Sequence, residues 1–402
     1  MKKKGILYAL IFIGSLFYFF ANFQRIAIPG AVFDLLQHEL NVSAPYITAF
    51  GAIFMYIYAF NQLVIGVLVD ISGGIILGLG ALLFPISSNL PLMYFSRVLV
   101  GLGGSTFYLS LIRELKGCFS DKNFGIAISV MLCIGYAGGI AANAPFVFLM
   151  QYINWREILV ILGFVILAGV ILFALLSRNI EFPAINRTVK LRSLPFRLVL
   201  HKKHNRNLFS FACCNFGISY SIQAIIGKKF LEDFCLMPAS KAAMVLSIMA
   251  VIAAVFNIIN ASFCKMCHNH RVIFLKNAAV ITFVSLLIIC LCLIFEIRTY
   301  FIAVIFFILA ANASLTSLLV PVLHLTNRKM VSGTAVSIMN FCFFTMVGLL
   351  GTAMGFLLNL FEPEKSGNVL VYSNQSYLAV FGLFFLLSVF ELYKARKLSN
   401  KY

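Results

Sequence analysis

The stretch Gly66-Val-Leu-Val-Asp70-Ile-Ser-Gly73-Gly74 decides the fold, because it separates two long apolar runs by a few small and polar residues. A helix needs about 20 apolar residues to cross a bilayer. Gly66 permits close helix approach, and Gly73 supports a tight turn. Asp70 can face a helix N-terminus or a basic partner. The stretch therefore predicts a short loop between two membrane helices.

The composition agrees with that interpretation along the whole chain. The 402 residues are 62% hydrophobic and 11% charged, with a mean hydropathy of +1.00. Soluble domains carry about 25% charged residues. The ten cysteines are scattered, mostly within apolar runs, and indicate no disulfide framework. These features exclude a soluble enzyme, a disordered protein and a disulfide scaffold.

Hydropathy predicts an all-α membrane protein with twelve transmembrane helices, because in lipid only helices and closed barrels satisfy their own backbone groups. The basic start followed by the apolar run from Ile6 resembles a signal peptide, but the run is too long, so we interpret it as an uncleaved first span. The predicted spans are residues 6–33, 46–69, 74–90, 92–113, 124–149, 156–176, 207–230, 240–263, 272–295, 299–323, 331–360 and 375–394.

The connection at residues 177–206 differs from the others, because it contains eight Lys and Arg residues. Six predicted spans precede it and six follow. We expect an N-terminal bundle at 1–176, a basic cytoplasmic linker at 177–206 and a C-terminal bundle at 207–402. An offset of about 195 residues relates the two halves, which indicates an internal repeat.

The net charge of +18 has a topological explanation. With the N-terminus in the cytoplasm, about three quarters of the Lys and Arg residues fall on cytoplasmic segments, as the positive-inside rule requires. We expect a multi-pass protein of the inner (plasma) membrane with both termini cytoplasmic. Its expected partners are anionic lipid headgroups and a small-molecule solute. We expect no nucleic acid partner and a monomeric protein.

Three motifs carry a resemblance to the major facilitator superfamily. The Gly66–Gly74 stretch resembles its loop signature G-x-L-x-D-x-x-G-[RK], although Gly74 and Ile75 stand where a basic pair should follow. The segment Arg97-Val-Leu-Val-Gly101-Leu-Gly103-Gly104 is similar to the R-x-x-x-G-x-G pattern of span 4. Asn154-Trp155-Arg156 looks like the W-R pair before span 6.

This resemblance implies two six-helix bundles that move a solute by alternating access. It also implies gating or conformational roles for Gly66, Asp70, Gly73 and Arg97. The Gly66–Gly74 loop would stabilise the outward-open state through contacts on the cytoplasmic side. For Arg97 the alternative is a structural one, in which the guanidinium bonds to backbone carbonyls.

A narrower resemblance lies in residues 18–29 (YFFANFQRIAIP) and 56–62 (YIYAFNQ). They look like the phagosomal-transporter branch of intracellular bacteria and its lysosomal dipeptide-transporter relatives. The resemblance implies an amino acid, short peptide or nucleoside as cargo. Organophosphate exchangers share the general plan.

Arg25 is the residue we expect at the centre of a substrate site. A cation inside a span costs about 2.5–3.5 kcal/mol on insertion scales, so it usually faces a cavity. Its guanidinium matches a carboxylate or phosphate. Alternatively, Arg25 extends to the membrane surface or pairs with Asp34. The other predicted substrate-binding residues are Tyr58, Gln62, Tyr220, Gln223 and Asn340, and weaker polar candidates are Asn215, Ser219, Asn257, Asn312 and Thr316.

By this count no Asp or Glu falls within the core of a span, which favours an anionic or zwitterionic cargo moved by facilitated diffusion or exchange. An amino acid or short peptide leads, and a sugar phosphate, another organophosphate or a nucleoside is the alternative. A membrane sensor on the same fold is a further alternative. No enzyme motif and no cofactor are predicted. The segment Cys264-Lys-Met-Cys267-His268-Asn-His270 has metal-ligand spacing, but we interpret it as a degenerate loop and predict no metal.

Overall fold

The computed structural model describes residues 2–64, 70–119, 121–178, 196–266, 271–366 and 369–398. Nearly all of this is helical. Among the described residues, nine helices are long and apolar enough to cross a membrane, and two shorter apolar helices occur at Ser72–Ile86 and Val130–Ala141. The all-α membrane fold is confirmed, whereas the count of twelve spans stays a prediction.

The first part of the chain forms eight helices in the described residues. They are α1 (Lys2–Ile26), α2 (Phe33–Leu40), α3 (Ala44–Val64), α4 (Asp70–Ile86), α5 (Leu90–Cys118), α6 (Asp121–Ala141), α7 (Ala144–Leu149) and α8 (Trp155–Ser177). Helix α4 packs between α5 and α8, and α1 packs on α5 and α6.

The helices of the second part are α9 (Phe196–His201), α10 (Lys203–Ser221), α11 (Gly227–Asp233), α12 (Ala239–Met266), α13 (Arg271–Ile294), α14 (Phe301–Ala313), α15 (Thr316–Thr326), α16 (Lys329–Leu358) and α17 (Asn374–Arg396). Helix α10 packs on α16 and α17, and α13 packs on α17. A two-stranded antiparallel hairpin, β1 (Glu364–Ser366) and β2 (Val369–Val371), precedes α17.

The predicted first span, 6–33, is not one continuous helix. A π-helical segment at Ala27–Ala31 interrupts it, with Ile28 at φ −119° and ψ 119°. Pro29 lies in this break and has no N–H to donate, which a sequence-wide hydropathy average does not register. A second π-helical segment, Ile222–Ile226, separates α10 from α11. The two breaks begin 195 residues apart, the offset expected from the loops, and they pack against each other.

The Gly66–Gly74 stretch is not a loop throughout. Residues 65–69, which include Gly66, lie outside the described residues, and so does the side chain of Asp70. Gly73 lies inside α4 and not in a tight turn, so that expectation is wrong. A Cβ at Gly73 would overlap Thr106 Oγ1, and one at Gly103 would lie 2.6 Å from the Gly73 carbonyl oxygen. The glycines are therefore needed for the close crossing of α4 and α5.

The basic connection is partly helical. Residues 179–195 lie outside the described part of the chain, but α9 begins at Phe196 and α10 already begins at Lys203. Arg206 Nη1 donates to the Leu200 carbonyl oxygen at 3.0 Å, which ties the start of α10 to α9. The last basic residues of the predicted linker thus belong to helices.

Residues 1–176 and 207–402 meet along a continuous surface, in which α3 packs on α16 and α6 and α7 pack on α12. The Tyr56 hydroxyl lies 3.1 Å from Thr352 Oγ1, and the Ala144 amide donates to Ser247 Oγ at 2.9 Å. Large apolar side chains on the outer faces are exposed, as on α8, where Ile171 is 62% exposed. Such a surface is stable only against lipid or another apolar partner.

Candidate substrate site

A cavity lies between the two parts of the chain, bounded by α1 and α6 on one side and by α10, α12 and α14 on the other. It encloses about 660 Å³, including the part open to solvent. Its polar lining residues are Asn22, Arg25, Tyr136, Ser219, Tyr220, Gln223, Asn257, Ser314 and Thr316.

Arg25 carries the only charge among the lining residues within the described part of the chain. Its guanidinium carbon lies 5.1 Å from the ring centroid of Tyr220, 5.6 Å from that of Tyr58 and 5.5 Å from that of Phe344. Nη2 donates to Asn22 Oδ1, while Nε has no hydrogen-bond partner among the described residues. Aromatic rings therefore surround the cation while an N–H donor remains available, which suits an anionic group.

The structure brings together some of the predicted site residues and leaves out others. Arg25, Tyr220 and Gln223 line the cavity, and Tyr58 contacts Arg25 from outside that lining. Gln62 is buried on α3 and Asn340 is half-buried on α16, and neither is among the lining residues. Helical spacing from Tyr58 favours Gln62, but the described residues that line the cavity belong to other helices and none belongs to α3.

Two helices of the cavity wall, α6 and α12, contribute more than their sequence indicates. Tyr136 on α6 was missed, and Asn257 on α12 ranked only as a weaker candidate. Their side chains meet, because Asn257 Nδ2 donates to the Tyr136 hydroxyl at 3.3 Å across the two parts of the chain. The available signal was the pair Gly135 and Gly139, since small residues beside Tyr136 let α6 approach α1 closely, which brings the tyrosine next to the cavity.

Arg97 does not face the cavity. It is fully buried, and its guanidinium donates to three backbone carbonyls, those of Phe50 (3.1 Å), Gln24 (3.2 Å) and Ile28 (3.3 Å). These bonds hold α5 to α3 and to the break that follows α1. They match the alternative in which the Arg97 guanidinium bonds to backbone carbonyls. Because Ile28 lies in the helix break, a movement of this break would change the bonds of Arg97.

Asp34 pairs with Lys229 and not with Arg25. Lys229 Nζ lies 2.7 Å from Asp34 Oδ1 and 2.9 Å from Asp233 Oδ1, and the lysine side chain is only 1% exposed. Asp34 and Lys229 are again 195 residues apart. We call Asp34, Lys229 and Asp233 the distal cluster. The end of the bundle that contains this cluster, with residues 34–43, 87–89, 359–366 and 369–373, is the distal end.

The hairpin region covers the distal cluster. Asp233 Oδ2 accepts from the Tyr372 amide at 3.0 Å and from the Tyr377 hydroxyl at 2.7 Å. Gln37 Nε2 donates to the Tyr372 hydroxyl at 2.7 Å, and this bond joins the two parts of the chain beside the Asp34–Lys229 pair. Burial raises the pKa of Tyr372 far above its ordinary value, so this phenol stays neutral.

The Trp155-Arg156 pair also stabilises the distal end. The Trp155 indole donates to Glu39 Oε1 at 2.7 Å, and Arg156 Nε donates to Glu39 Oε2 at 2.8 Å. Arg156 Nη1 further donates to the Pro85 and Ser87 carbonyls at 2.7 and 2.8 Å. The pair thus joins the C-terminal ends of α2 and α4 to the start of α8.

The expectation of no acidic residue inside a span is wrong for the last helix. Glu391 on α17 is completely buried, and its Oε1 accepts from Asn215 Nδ2 at 3.0 Å. The residue stands near the end of the predicted span, where a hydropathy profile expects contact with water. The packing of α17 against α10 and α13 excludes that contact.

Comparison with known proteins agrees with this geometry. A family model described as Major Facilitator Superfamily matches residues 11–352. Among solved structures, a bacterial homologue of the human lysosomal transporter Spinster, inward-facing and unoccupied, is similar with a TM-score of 0.72, 15% identity and 97% of both chains covered. Its inward-facing, occupied form is similar with a TM-score of 0.72, 16% identity and 97% of both chains covered. No curated protein matches the chain.

Proposed function

The chain belongs to the major facilitator superfamily and is a membrane transporter, not an enzyme, and from this premise we propose that it carries a small anionic or zwitterionic organic solute. The favoured cargo is an amino acid or a short peptide. Transport proceeds by alternating access, in which bundles 1–176 and 207–402 rock around the cavity. We place the monomeric carrier in the inner membrane with both termini in the cytoplasm.

The observation that carries this proposal is the charge balance of the cavity. Among the described residues that line it, Arg25 alone is charged, and none is an Asp or Glu. The Arg25 guanidinium would therefore repel a cationic solute, and no lining carboxylate described here would neutralise that solute. A carboxylate group of the solute could instead accept hydrogen bonds from the Arg25 guanidinium. The polar groups of Tyr220, Gln223 and Asn257 can hydrogen-bond the rest of the solute.

The distal end supports alternating access. The contact between the two breaks, the Asp34–Lys229 ion pair and the Gln37–Tyr372 bond all join residues 1–176 to residues 207–402 at this end. A solute in the cavity can leave through the distal end only after these contacts separate. We propose that they form a gate that opens once in each transport cycle.

The test is a thermal-shift screen of the detergent-purified protein beside Arg25→Ala. The panel holds amino acids, dipeptides, nucleosides, carboxylates and sugar phosphates. A ligand present at about 100 times its dissociation constant stabilises the folded state by about 2.7 kcal/mol. We expect an amino acid or dipeptide to stabilise the wild-type protein and to lose that effect in Arg25→Ala. Asn340→Ala is the matched control, because Asn340 does not line the cavity, and it should respond like the wild type.

Other outcomes point elsewhere. Stabilisation by phosphates alone would favour an organophosphate carrier, since a guanidinium also matches a phosphate. An amino-acid effect that survives Arg25→Ala would contradict the role of Arg25. Purified protein that binds a solute but never moves it into vesicles would favour the sensor.

A further inference from the structure

A completely buried carboxyl group lies in the second part of the chain, away from the cavity. Glu391 Oε1 accepts from Asn215 Nδ2 at 3.0 Å and lies 3.4 Å from Thr282 Oγ1. Oε2 is buried and has no hydrogen-bond partner among the described residues. The proposed binding of the solute by Arg25 does not involve Glu391.

No described ion pair neutralises Glu391. Of the helices packed around it, α10 contributes Cys213 and Asn215, and α13 contributes Thr282. On its own helix the nearest basic residue is Lys394, whose amine lies over the ring of Phe390, 5.0 Å from its centroid. A lone carboxylate sealed from water and from cations is strongly unfavourable. A bound proton removes that cost.

Hydrogen bonds connect this carboxyl to the wall of the cavity. Asn312 Nδ2 donates to Thr282 Oγ1 at 2.9 Å, and Asn312 directly precedes Ala313, which lines the cavity. Asn215 lies one helical turn before Ser219, another lining residue. A change in the protonation of Glu391 would therefore act on two helices that hold the solute.

The donors around the carboxyl favour a proton over a metal cation. Asn215 and Asn312 both direct their amide nitrogens into the cluster. A sodium or other hard cation requires oxygen ligands at these positions. An amide N–H can donate to a carboxyl oxygen in both the protonated and the ionised state of the group, so these donors allow the exchange of a proton.

We propose that Glu391 is a proton-binding site that couples solute transport to protonation. The coupling rests on the proposed transport function, whereas proton binding at Glu391 does not. On binding, one proton joins a carboxylate oxygen and the site loses its negative charge. No other bond forms or breaks. Return of the proton to water restores the charge when the cluster becomes hydrated.

Infrared difference spectroscopy of the purified protein tests proton binding without a solute. The wild-type protein at neutral pH should show the carbonyl band of a buried carboxylic acid, and the band should be absent in Glu391→Gln. Ser388→Ala is the matched control, because Ser388 is equally buried on α17 and its one bond within the described residues goes to the Phe385 carbonyl of its own helix. It should keep the band. A band of unchanged intensity in Glu391→Gln would overturn the proposal.

If Glu391→Gln does not fold, Glu391→Asp provides the second variant. An aspartic acid at this position should shift the band, since it keeps the acid in a changed hydrogen-bond environment. An unshifted band in a folded Glu391→Asp protein would equally overturn the proposal.

Proteoliposomes test the coupling, with an equimolar mixture of L-amino acids as the probe. A pH gradient should drive uptake by the wild-type protein, and Glu391→Gln should lose this response while it retains exchange without a gradient. A variant that keeps the response would overturn the coupling. Uptake by no variant, together with an infrared band that depends on Glu391, would contradict the proposed cargo and leave the proton site standing.

Discussion

Arg97, Lys229 and Arg25 are cations of the described helices that differ in their partners, and the partners distinguish their roles. Arg97 donates to three backbone carbonyls, and Lys229 is held by two carboxylates. Arg25 bonds to one amide oxygen, of Asn22, and keeps an N–H donor without a partner in the described residues. The cation with spare bonding capacity beside the cavity is the one suited to a ligand.

Single glycines determine how closely the helices approach. A Cβ at Gly103 would lie 2.5 Å from the Leu77 backbone nitrogen, so the neighbouring helix would have to move. We expect Gly103→Ala to lower the free energy of unfolding by about 1–3 kcal/mol, the usual cost of overpacking. Thermal unfolding in detergent measures it. Gly382→Ala is the control, because a Cβ there meets no atom within 4 Å. Equal stability of the two variants would contradict the close crossing.

At the scale of elements, α2, α11 and the hairpin form one ion-paired assembly at the distal end. Lys229 also bonds to Asp233 on its own helix, so the charge of Lys229 stays neutralised when Asp34 is absent. The Asp34–Lys229 pair therefore adds to the contact between the two parts of the chain without being needed for the folding of α11. This arrangement suits a gate that must open and close.

Asp34→Asn should weaken the distal gate selectively. We expect the equilibrium between the closed and the open gate to shift by about 1–3 kcal/mol toward the open state, which is the usual size of a coupling energy. An impermeant maleimide should therefore label a reporter cysteine behind the gate at least about fivefold faster. The reporter is Ala52→Cys, in a background without the native cysteines, since Ala52 is 2% exposed in the surface between α3 and α16.

Lys228→Gln is the matched control for that experiment. Lys228 pairs with Glu232 on the same helix at 2.8 Å and contributes no ion pair between the two parts of the chain in the described residues. The labelling rate of Lys228→Gln should equal that of the Ala52→Cys protein without a further substitution. If Lys228→Gln accelerated labelling as much as Asp34→Asn does, the inter-bundle pair would not be the cause.

At the scale of the whole molecule, the distal closure depends on the contact between α3 and α16. A Cβ at Gly351 would lie 3.4 Å from the Cβ of Ala52, close to the ~3.5–4.5 Å of disulfides. Ala52→Cys combined with Gly351→Cys should form a disulfide on oxidation in the background without native cysteines. The bond should stop uptake, and a reductant should restore it.

A protease site engineered between residues 179 and 195 makes the cross-link visible. After cleavage, the two fragments should stay together on a non-reducing gel only when both cysteines are present. The single variants provide the control. Full uptake with the disulfide closed would show that the distal end does not need to open.

Much of the architecture could be predicted from the sequence. The apolar runs determined an all-α membrane protein, because backbone groups in lipid must bond within their own segment. The glycine and charge motifs indicated the superfamily, and the rarity of a cation inside a span singled out Arg25. The repeat offset predicted from two loops also relates the two helix breaks, which the hydropathy profile did not show.

Only the tertiary structure decided which polar residues act together. Gln62 has the helical spacing that predicts a site residue, yet the cavity wall is formed by helices distant in sequence. Asp34 forms an ion pair with Lys229, which is 195 residues away in sequence, and the packing of α10 and α13 on α17 buries Glu391. Hydropathy and spacing are local properties of a chain. A cavity, an ion pair between bundles and a buried carboxyl depend instead on the packing of remote helices, which no local pattern records.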